Sequence, residues 1–464
     1  MKNWKSALMV LVAGLTVSVQ ATEDSKASER SITMEFAKAV VAFEYDDISP
    51  EAKAMGIQLI ADSVACAVGA HKNEMLAKME SIIDPNGGDC LILHSGEKGK
   101  LLEAVYLNSQ AANTLDFDDS HAAIGHPGAM IVQPALAIAE KYDKSDEDVL
   151  EAVVAGYEFG LRWAQAAFDY EDKMQQPWSM AALQAFGTTV TAGKLLDLNE
   201  EQMAQAMFFS AFNMMAPSNL KIGMGAGEKM NGLKSNFGFA AMSSVLGVLT
   251  AKGNIYGPSD ILDGEQGLWR IVGSKEFHEE RLLEELGTRW DILGMQFKPY
   301  SACRWMHSAV DALYEMKENV KIDDIESIDV YTFKSGVDLL SGSAPKTIFD
   351  LSFSIPHVSG MVFSGDSLII LREESLRSKE ALAVSEKVKV IHDEEYEKPY
   401  AEGKLPCRVV LKTKSGETYE KEILSPKGER SNPLPVDEHD AKVKQLIDSS
   451  PHRNVRSYAL KIVG

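Results

Sequence analysis

The hydrophobic pattern of this 464-residue chain changes near residue 270, and that change constrains the fold. From about Met34 to Gly267, apolar residues recur at three- and four-residue steps, the spacing of amphipathic helices. Beyond residue 270, helical stretches such as Ser308–Lys317 lie between short alternating runs. Residues 408–421 have the pattern of a β-hairpin around Ser415–Gly416. The tail at 437–447 is helical again and could return to pack on the first part. We therefore predict an α+β fold that is mostly α.

Several local signals place individual elements within this pattern. Ser145–Asp148 and Asn199–Gln202 each resemble a capping box that opens a helix. Residues 328–332 and 387–390 alternate as strands do, and Leu91–Leu93 is a short strand candidate. These signals indicate which segments are helices or strands, but not which strands pair or which helices pack together.

The first residues have the pattern of a secretory signal peptide. Lys2 and Lys5 precede an apolar run at residues 7–19, and small residues end it at Ala21. We expect residues 1–21 to be cleaved after Ala21, which predicts a periplasmic or secreted protein that does not span a membrane after processing. An uncleaved anchor or a buried helix is the alternative. No later segment holds the roughly 18 consecutive apolar residues of a spanning helix.

The charge balance narrows the class of partner. The chain has 47 basic and 68 acidic residues, a net charge of −21, which becomes −23 once Lys2 and Lys5 are removed. Such a surface argues against nucleic acid and anionic membranes as partners. Salt screens this field within about 8 Å, so a local basic pocket can still bind an anion. The four cysteines allow three disulfide pairings and lack metal-ligand spacing, which argues against a structural zinc site.

Ionisable groups are crowded into residues 116–126, between two helices. The span contains Asp116, Asp118, Asp119, Ser120, His121 and His126, is broken by Gly125, Pro127 and Gly128, and precedes an apolar helix that we place from Pro134. A histidine beside a carboxylate can exchange protons near neutral pH, and Ser120 can donate to an anionic oxygen. One or two of the aspartates would instead cap helix ends. A metal site built on Asp118, Asp119 and His121 is a further alternative.

Two other segments carry basic side chains. Residues 219–238 are rich in glycine and lysine and precede a helix, which suits an anion. An exposed loop with solvated lysines is the alternative. In residues 297–311, Lys298 and Arg304 could clamp a carboxylate, with Tyr300 and His307 beside them.

These segments resemble the MmgE/PrpD family, which includes 2-methylcitrate dehydratase, cis-aconitate decarboxylase and iminodisuccinate epimerase. The resemblance begins with LDFDDSH…HP…PALA at 115–137 and continues, in order, over nearly the whole mature chain. It includes AFGTTVTAGKLLDLNEEQMAQA, GFAAMSSVLGVLTAKGNIYGPSDILDGEQGLW, FKPYSACRWMHSAVDA and FDLSFSIPHVSGMVFSGD.

The resemblance implies a large helical domain built from residues 30–270 and 425–464, with a smaller α+β lid domain, 271–424, inserted between them. It also implies a homodimer, no metal and no organic cofactor. The implied chemistry is a cofactor-independent elimination, decarboxylation or epimerisation beside a carboxylate of a small di- or tricarboxylic acid.

The resemblance also assigns residues. Asp116, Ser120 and His126 match family positions in the first motif, and Lys234 is the best match to a pocket lysine, with Lys229 as the alternative. We expect Asp116, Ser120, His126 and Lys234 to be catalytic. His307 matches the histidine after the KPYSAC stretch, and Lys275 is a weaker match to a lysine at the lid junction. We expect Lys275, Lys298, Tyr300, Arg304, His307 and Trp178 to contact substrate.

Trp178 stands where family members often carry a pocket histidine. An imidazole that exchanges protons is thus replaced by an indole that only donates. This departure motivates an alternative from another class, an exported carboxylate-binding protein without catalysis.

Overall fold

The computed structural model describes residues 30–122, 124–167, 180–213 and 235–464. The chain divides into two units, Met1–Ser31 and Ile32–Gly464, and the fold below is that of the second unit.

The part of this unit before residue 272 is built mainly of helices. They are α1 (Ile32–Ala42), α2 (Pro50–Gly69), α3 (Glu74–Ile83), α4 (Leu101–Thr114), α5 (Gly128–Tyr142), α6 (Asp146–Ala167), α7 (Met180–Leu195), α8 (Glu200–Phe212), α9 (Phe237–Lys252) and α10 (Leu268–Ile271). A small antiparallel pair, β1 (Cys90–Leu91) and β2 (Lys98–Gly99), lies between α3 and α4. Close packing of α6 on α7 depends on glycine, because an added Cβ at Gly156 would lie 1.9 Å from Thr191 Oγ1.

Two predicted helix starts are confirmed by their hydrogen bonds. The backbone N–H of Asp148 donates to Ser145 Oγ at 3.1 Å, and the Ser145 N–H donates to Asp148 Oδ2 at 2.9 Å. Asn199 and Gln202 form the same reciprocal pair at the start of α8. The start placed at Pro134 is wrong, since α5 already begins at Gly128 and Pro134 lies inside it. Proline favours the first turn of a helix, and that preference misplaced the boundary.

The part after residue 300 combines helices with a four-stranded sheet. The helices are α11 (His307–Lys317), α12 (Lys334–Leu340), α13 (Ile348–Leu351), α14 (Ile355–Ser364), α15 (Lys379–Ser385) and α16 (Glu397–Ala401). The strands are β3 (Ile325–Thr332), β4 (Val388–His392), β5 (Cys407–Thr413) and β6 (Thr418–Ile423), in the order β4-β3-β5-β6. β3 and β4 are parallel, whereas β5 pairs antiparallel with β3 and β6. The predicted β5–β6 hairpin and the predicted class, α+β and mostly α, are both confirmed.

The last helices, α17 (Val436–Ser449) and α18 (Arg453–Val463), return to the first part of the unit and pack on α2. Leu446 and Ile447 of α17 are fully buried in the same core as α1 to α9. Residues 272–297 also contribute to this core, whereas residues 302–411 form a second one. The loop between α4 and α5 is thereby enclosed by segments from both ends of the chain.

Among the described residues, the stretch Pro50–Lys72 is long and apolar enough to cross a membrane by length and composition. Its most apolar window is 72% buried inside the protein, as in the core helix of a globular fold. Each of the four cysteines is buried, and within the described residues no disulfide joins any two of them.

Candidate active site

The loop between α4 and α5 carries three buried carboxylates. Asp116, Asp118 and Asp119 are each at most 1% exposed. Asp116 adopts a left-handed backbone with φ of 49°, a conformation that aspartate tolerates better than most residues. Burying three carboxylates together is costly unless each has a partner. The partners therefore show what each carboxylate does.

His126 lies near the end of this loop, with 14% of its side chain exposed. Its Nδ1 lies 2.9 Å from the backbone oxygen of Asp119 and 3.5 Å from Asp118 Oδ1. Because a carbonyl only accepts, Nδ1 carries a hydrogen and donates it. Nε2, 3.7 Å from Asp116 Oδ1, is therefore the nitrogen that can exchange a proton.

Lys298 binds Asp116 from the other side. Its ammonium donates to the Asp116 carboxylate, to the Asp116 backbone oxygen at 2.9 Å and to the Ala302 backbone oxygen at 3.2 Å. These acceptors occupy the three hydrogens of the ammonium, and the side chain is fully buried. The geometry therefore favours holding Asp116 over the substrate clamp that the sequence suggested for Lys298.

The Asp119 carboxylate points away from His126. It accepts from Tyr157 Oη at 2.8 Å and from the backbone N–H of Gly128 at 3.1 Å, which is the first N–H of α5. Complete burial raises the pKa of Asp119 well above its ordinary value, and the neighbouring charges of Asp118 and Asp62 add to this. Asp119 thus caps α5, and only its backbone oxygen orients the imidazole of His126.

Ser120 begins a chain of polar contacts that leads to the second core. Its hydroxyl donates to Gln296 Oε1 at 3.3 Å, and the two backbones exchange hydrogen bonds of 2.9 Å. Gln296 in turn donates to Glu429, which also binds Arg304 Nη2 at 2.9 Å. Arg304 is therefore engaged inside the protein, where Glu429 balances its buried charge.

Arg304 also fixes His307. Its Nη1 lies 2.9 Å from His307 Nδ1, while His307 Nε2 lies 3.1 Å from the Ala302 backbone oxygen. Nδ1 accepts and Nε2 donates, which defines a neutral imidazole. Burial lowers the pKa of His307 well below its ordinary value, and the positive charges of Arg304 and Lys298 lower it further.

This arrangement predicts an acid-dependent loss of stability. Unfolded His307 takes up a proton below its ordinary pKa of about 6.5, whereas the folded imidazole does not. We expect the free energy of unfolding to fall as pH decreases below 6.5, by up to about 1.4 kcal/mol per pH unit from this residue. Glutamine in His307→Gln can keep both hydrogen bonds but does not titrate. The contribution of residue 307 to the pH dependence of the free energy of unfolding should therefore disappear in this variant. Urea unfolding between pH 5 and 7.5 checks it, with His278→Gln, whose side chain is 37% exposed, as the control. An unchanged slope in His307→Gln would contradict the prediction.

The remaining predicted residues lie elsewhere or outside the described residues. The Tyr300 hydroxyl donates to Asp311 Oδ1 at 2.8 Å, and Lys275 is exposed on the loop after α10. Lys229, Lys234 and Trp178 lie outside the described residues. The structure brings together Asp116, His126 and Lys298, with Ser120 joined to Arg304 and His307 through Gln296 and Glu429.

Sequence reasoning missed several partners of this cluster. Asn113 donates to both oxygens of Asp118 at 3.1 and 3.0 Å, Tyr157 binds Asp119, and Gln296 and Glu429 connect Ser120 to Arg304. Asn113 lies one helical turn before the cluster and Gln296 two residues before Lys298, so proximity in sequence was a usable signal for both. Tyr157 and Glu429 had none.

Asp116, Asp118 and His126 also form a possible metal donor set. One atom from each lies within 4.8 Å of the others. This differs from the metal set that the sequence suggested, because Asp119 is engaged with Tyr157 and His121 faces elsewhere. The Lys298 ammonium already sits on Asp116 Oδ1 and supplies a positive charge there. The Lys298 ammonium would repel a divalent metal ion at Asp116 Oδ1, so this donor set is poorly suited to a metal.

His121 belongs to the wall of a neighbouring cleft. This cleft has a volume of about 570 Å³ and is also lined by Arg289, Trp290, Gly294 and Arg430. His121 packs against Gly294, where an added Cβ would lie 3.2 Å from Nε2. His121 and His126 therefore occupy different surroundings although five residues separate them in the chain.

The chain matches both domains of one protein family and resembles individual proteins over about half of its length. Residues 34–280 match the MmgE/PrpD N-terminal domain, and residues 300–459 match the MmgE/PrpD C-terminal domain. The chain is 26% identical over 288 residues to a cis-aconitate decarboxylase of Aspergillus terreus, a match that covers 59% of this chain and 57% of that protein. It is 22% identical over 227 residues to a human cis-aconitate decarboxylase, covering 47% of this chain and 44% of that protein. The matches thus span about half the length of these relatives. With both family domains matched in order, the chain belongs to the MmgE/PrpD family.

Proposed function

We propose that this protein is a cofactor-independent lyase, a dehydratase or decarboxylase, that acts next to a carboxylate of a small di- or tricarboxylic acid such as 2-methylcitrate or cis-aconitate. The observation that carries the proposal is the orientation of His126. Its Nδ1 hydrogen is directed to the Asp119 backbone oxygen, so Nε2 can take or supply a proton. The names of the two relatives, both cis-aconitate decarboxylases, support the lyase class.

His126 can serve either reaction. In a dehydration, Nε2 removes the proton on the carbon next to the carboxylate, and the imidazolium so formed gives that proton to the hydroxyl on the adjacent carbon, which leaves as water. In a decarboxylation, CO₂ leaves with its bonding electrons retained on carbon, and the imidazolium protonates that carbon. Proton transfer of this kind typically contributes about 10²–10⁴ in rate.

The surroundings of His126 suit a negatively charged substrate. The first residue of α9, Phe237, has its ring centroid 6.5 Å from that of His126. The 16-residue helix α9 directs the positive end of its dipole toward this side. The Ser120 hydroxyl can donate to a substrate oxygen in place of Gln296 Oε1, because both are hydrogen-bond acceptors. We further propose that Lys234, or Lys229, binds a carboxylate of the substrate.

One experiment tests this function. The purified protein is incubated in D₂O with 2-methylcitrate, cis-aconitate and related acids, with and without EDTA, and followed by proton NMR. The proposal expects a dehydrated or decarboxylated product from at least one acid, with EDTA making no difference. Deuterium exchange without a new product would indicate an epimerase. Saturable binding without turnover would indicate a carboxylate-binding protein, and loss with EDTA that added metal reverses would indicate a metalloenzyme.

We also propose that the protein is a homodimer whose interface lies on α8, α9 and the residues just after α9. Large apolar residues are exposed on α8, on α9 and just after α9, namely Phe212, Phe239, Leu246, Ile255 and Tyr256, each at least 44% exposed. α8 and α9 pack on each other, and Gly257 lies against the rings of Phe208 and Phe209, so these elements form one side of the fold. Clustered apolar exposure of this kind marks interaction surfaces.

The dimer predicts a mass change on mutation. Phe239→Glu with Leu246→Glu places two carboxylates seven residues apart on one face of α9 and should convert the dimer to monomer. Light scattering is expected to give twice the mass of one chain for the wild type and the mass of one chain for the variant. Val436→Glu, at an exposed apolar position on α17, is the control. A wild-type monomer would contradict the proposal.

Export is the remaining proposal. Residues 1–21 lie outside the described residues, and the pattern of Lys2, Lys5 and the apolar run carries it. N-terminal sequencing of the mature protein, expected to begin at Thr22, tests the cleavage after Ala21.

A further inference from the structure

A second buried lysine, Lys442, binds the loop that carries Asp116 and His126. It is not among the site residues that the family resemblance implies. Lys442 extends from α17, near the C-terminus, and is 4% exposed. Its ammonium donates to the backbone oxygen of Phe117 at 2.7 Å and to Asp62 Oδ1 at 2.6 Å. It also lies 4.0 Å from the centroid of the Phe117 ring. Lys442 thus contacts the residue between two of the buried aspartates.

Two lysines therefore bind consecutive backbone oxygens of this loop. Lys298 donates to the oxygen of Asp116, and Lys442 donates to that of Phe117. They come from different parts of the chain, one just before the second core and one from the returning helix. Two anchored peptide units in a row fix the direction of the Asp116 carboxylate and of the backbone that follows it.

The charge of Lys442 is balanced inside the protein. Burial raises the pKa of Asp62, but Lys442 and His439 outweigh burial and leave it below its ordinary value. Burial lowers the pKa of Lys442, but Asp62, Cys66 and Asp118 outweigh burial and raise it. Asp118 is the carboxylate 3.5 Å from His126 Nδ1. Lys442 therefore bonds directly to Asp62 and attracts Asp118 electrostatically, and Asp118 lies beside His126.

A buried ion pair of this kind is weak evidence for stability, because apolar replacements of similar volume are often as stable. The contacts of Lys442 instead point to a geometric role, since its ammonium bonds to the Phe117 backbone oxygen as well as to its counter-ion Asp62. We propose that Lys442, held by Asp62, is a positioning residue for the proton-transfer site: it fixes the loop between α4 and α5 so that Asp118 and the Asp119 backbone oxygen orient His126. The expected change in kcat rests on the proposed function. The expected effect on the conformation of the loop rests on the contacts alone.

The test separates positioning from stability. Lys442→Met alone leaves Asp62 buried without its counter-ion, so the informative variant is Asp62→Asn with Lys442→Met, which removes both charges. We expect it to unfold in urea close to the wild type, with kcat lower by about 10- to 100-fold and KM changed less than about threefold. Lys442→Arg should keep kcat within about threefold, because a guanidinium can still donate to the Phe117 oxygen. Lys444→Met, at an exposed lysine on the same helix, is the matched control.

A second readout does not need activity. Hydrogen exchange of the peptide covering 115–122 should be at least about tenfold faster in the double variant, with exchange in β5 and β6 unchanged. Wild-type kcat and wild-type loop exchange in a folded double variant would overturn the inference. If the wild type turns over none of the acids, the proposed function fails, and loop exchange alone decides the inference. If the double variant does not fold, Asp62→Asn with Lys442→Leu, which also removes both charges and the donor to the Phe117 oxygen, is measured by the same criteria.

Discussion

Replacing His126 with glutamine is expected to lower kcat by about 10²–10⁴ on whichever acid the wild type converts. Glutamine can still donate to the Asp119 backbone oxygen in place of Nδ1, but it has no nitrogen that exchanges a proton near neutral pH. KM should change little, because the proton-exchanging nitrogen acts in the transition state and not in holding the substrate. Steady-state kinetics on the NMR-identified substrate gives both numbers.

The matched control is His121→Gln. His121 lies five residues away and lines the neighbouring cleft, so its replacement should leave kcat within a small factor of the wild type. The pH profile adds a second criterion. The pH profile of the wild-type kcat should contain an ionisation that is absent from His126→Gln. Full activity in His126→Gln would exclude His126 as the proton-transfer group, and equal losses in both variants would point to a structural effect.

Local sequence signals predicted the elements of this fold well. The capping boxes at Ser145 and Asn199 and the β5–β6 hairpin at Gly416 each depend on residues within four positions of one another, so the chemistry that stabilises them can be read directly. The start of α5 could not be read in this way. It is set by Asp119, which accepts the Gly128 N–H, and the sequence gives no sign of which aspartate turns toward the helix.

The sequence marked the loop between α4 and α5 as the candidate site but did not identify the partners of its side chains. The crowding of residues 116–126 marked the loop, and the structure does gather Asp116, Asp118 and His126 there. The partners that fix those groups come from far along the chain, with Lys298 lying 182 residues beyond Asp116 and Lys442 lying 380 residues beyond Asp62. Pairing over such separations is set by how the helices pack, which a single sequence does not specify. For the same reason Arg304 looked available for a substrate, although Glu429 binds it.

Replacing Lys298 with methionine is expected to cost about 3–5 kcal/mol in the free energy of unfolding, because it leaves the Asp116 carboxylate buried without its ammonium. Activity should fall as well, since Asp116 would no longer be held beside Nε2 of His126. Urea unfolding and kcat of the same preparations measure the two effects. Lys412→Met, at an exposed lysine on β5, is the control and should leave both unchanged.

A double variant decides between the two roles considered for Lys298. If Lys298 holds Asp116, Lys298→Met with Asp116→Asn removes both charges and should recover most of the lost stability, while kcat stays low. If Lys298 instead clamps a substrate carboxylate, Lys298→Met should fold normally and raise KM, and adding Asp116→Asn should restore nothing. The buried ammonium gives all three of its hydrogens to Asp116 and Ala302, which is why we expect the first result. The substrate carboxylate would then depend on Ser120, the start of α9 and Lys234 or Lys229.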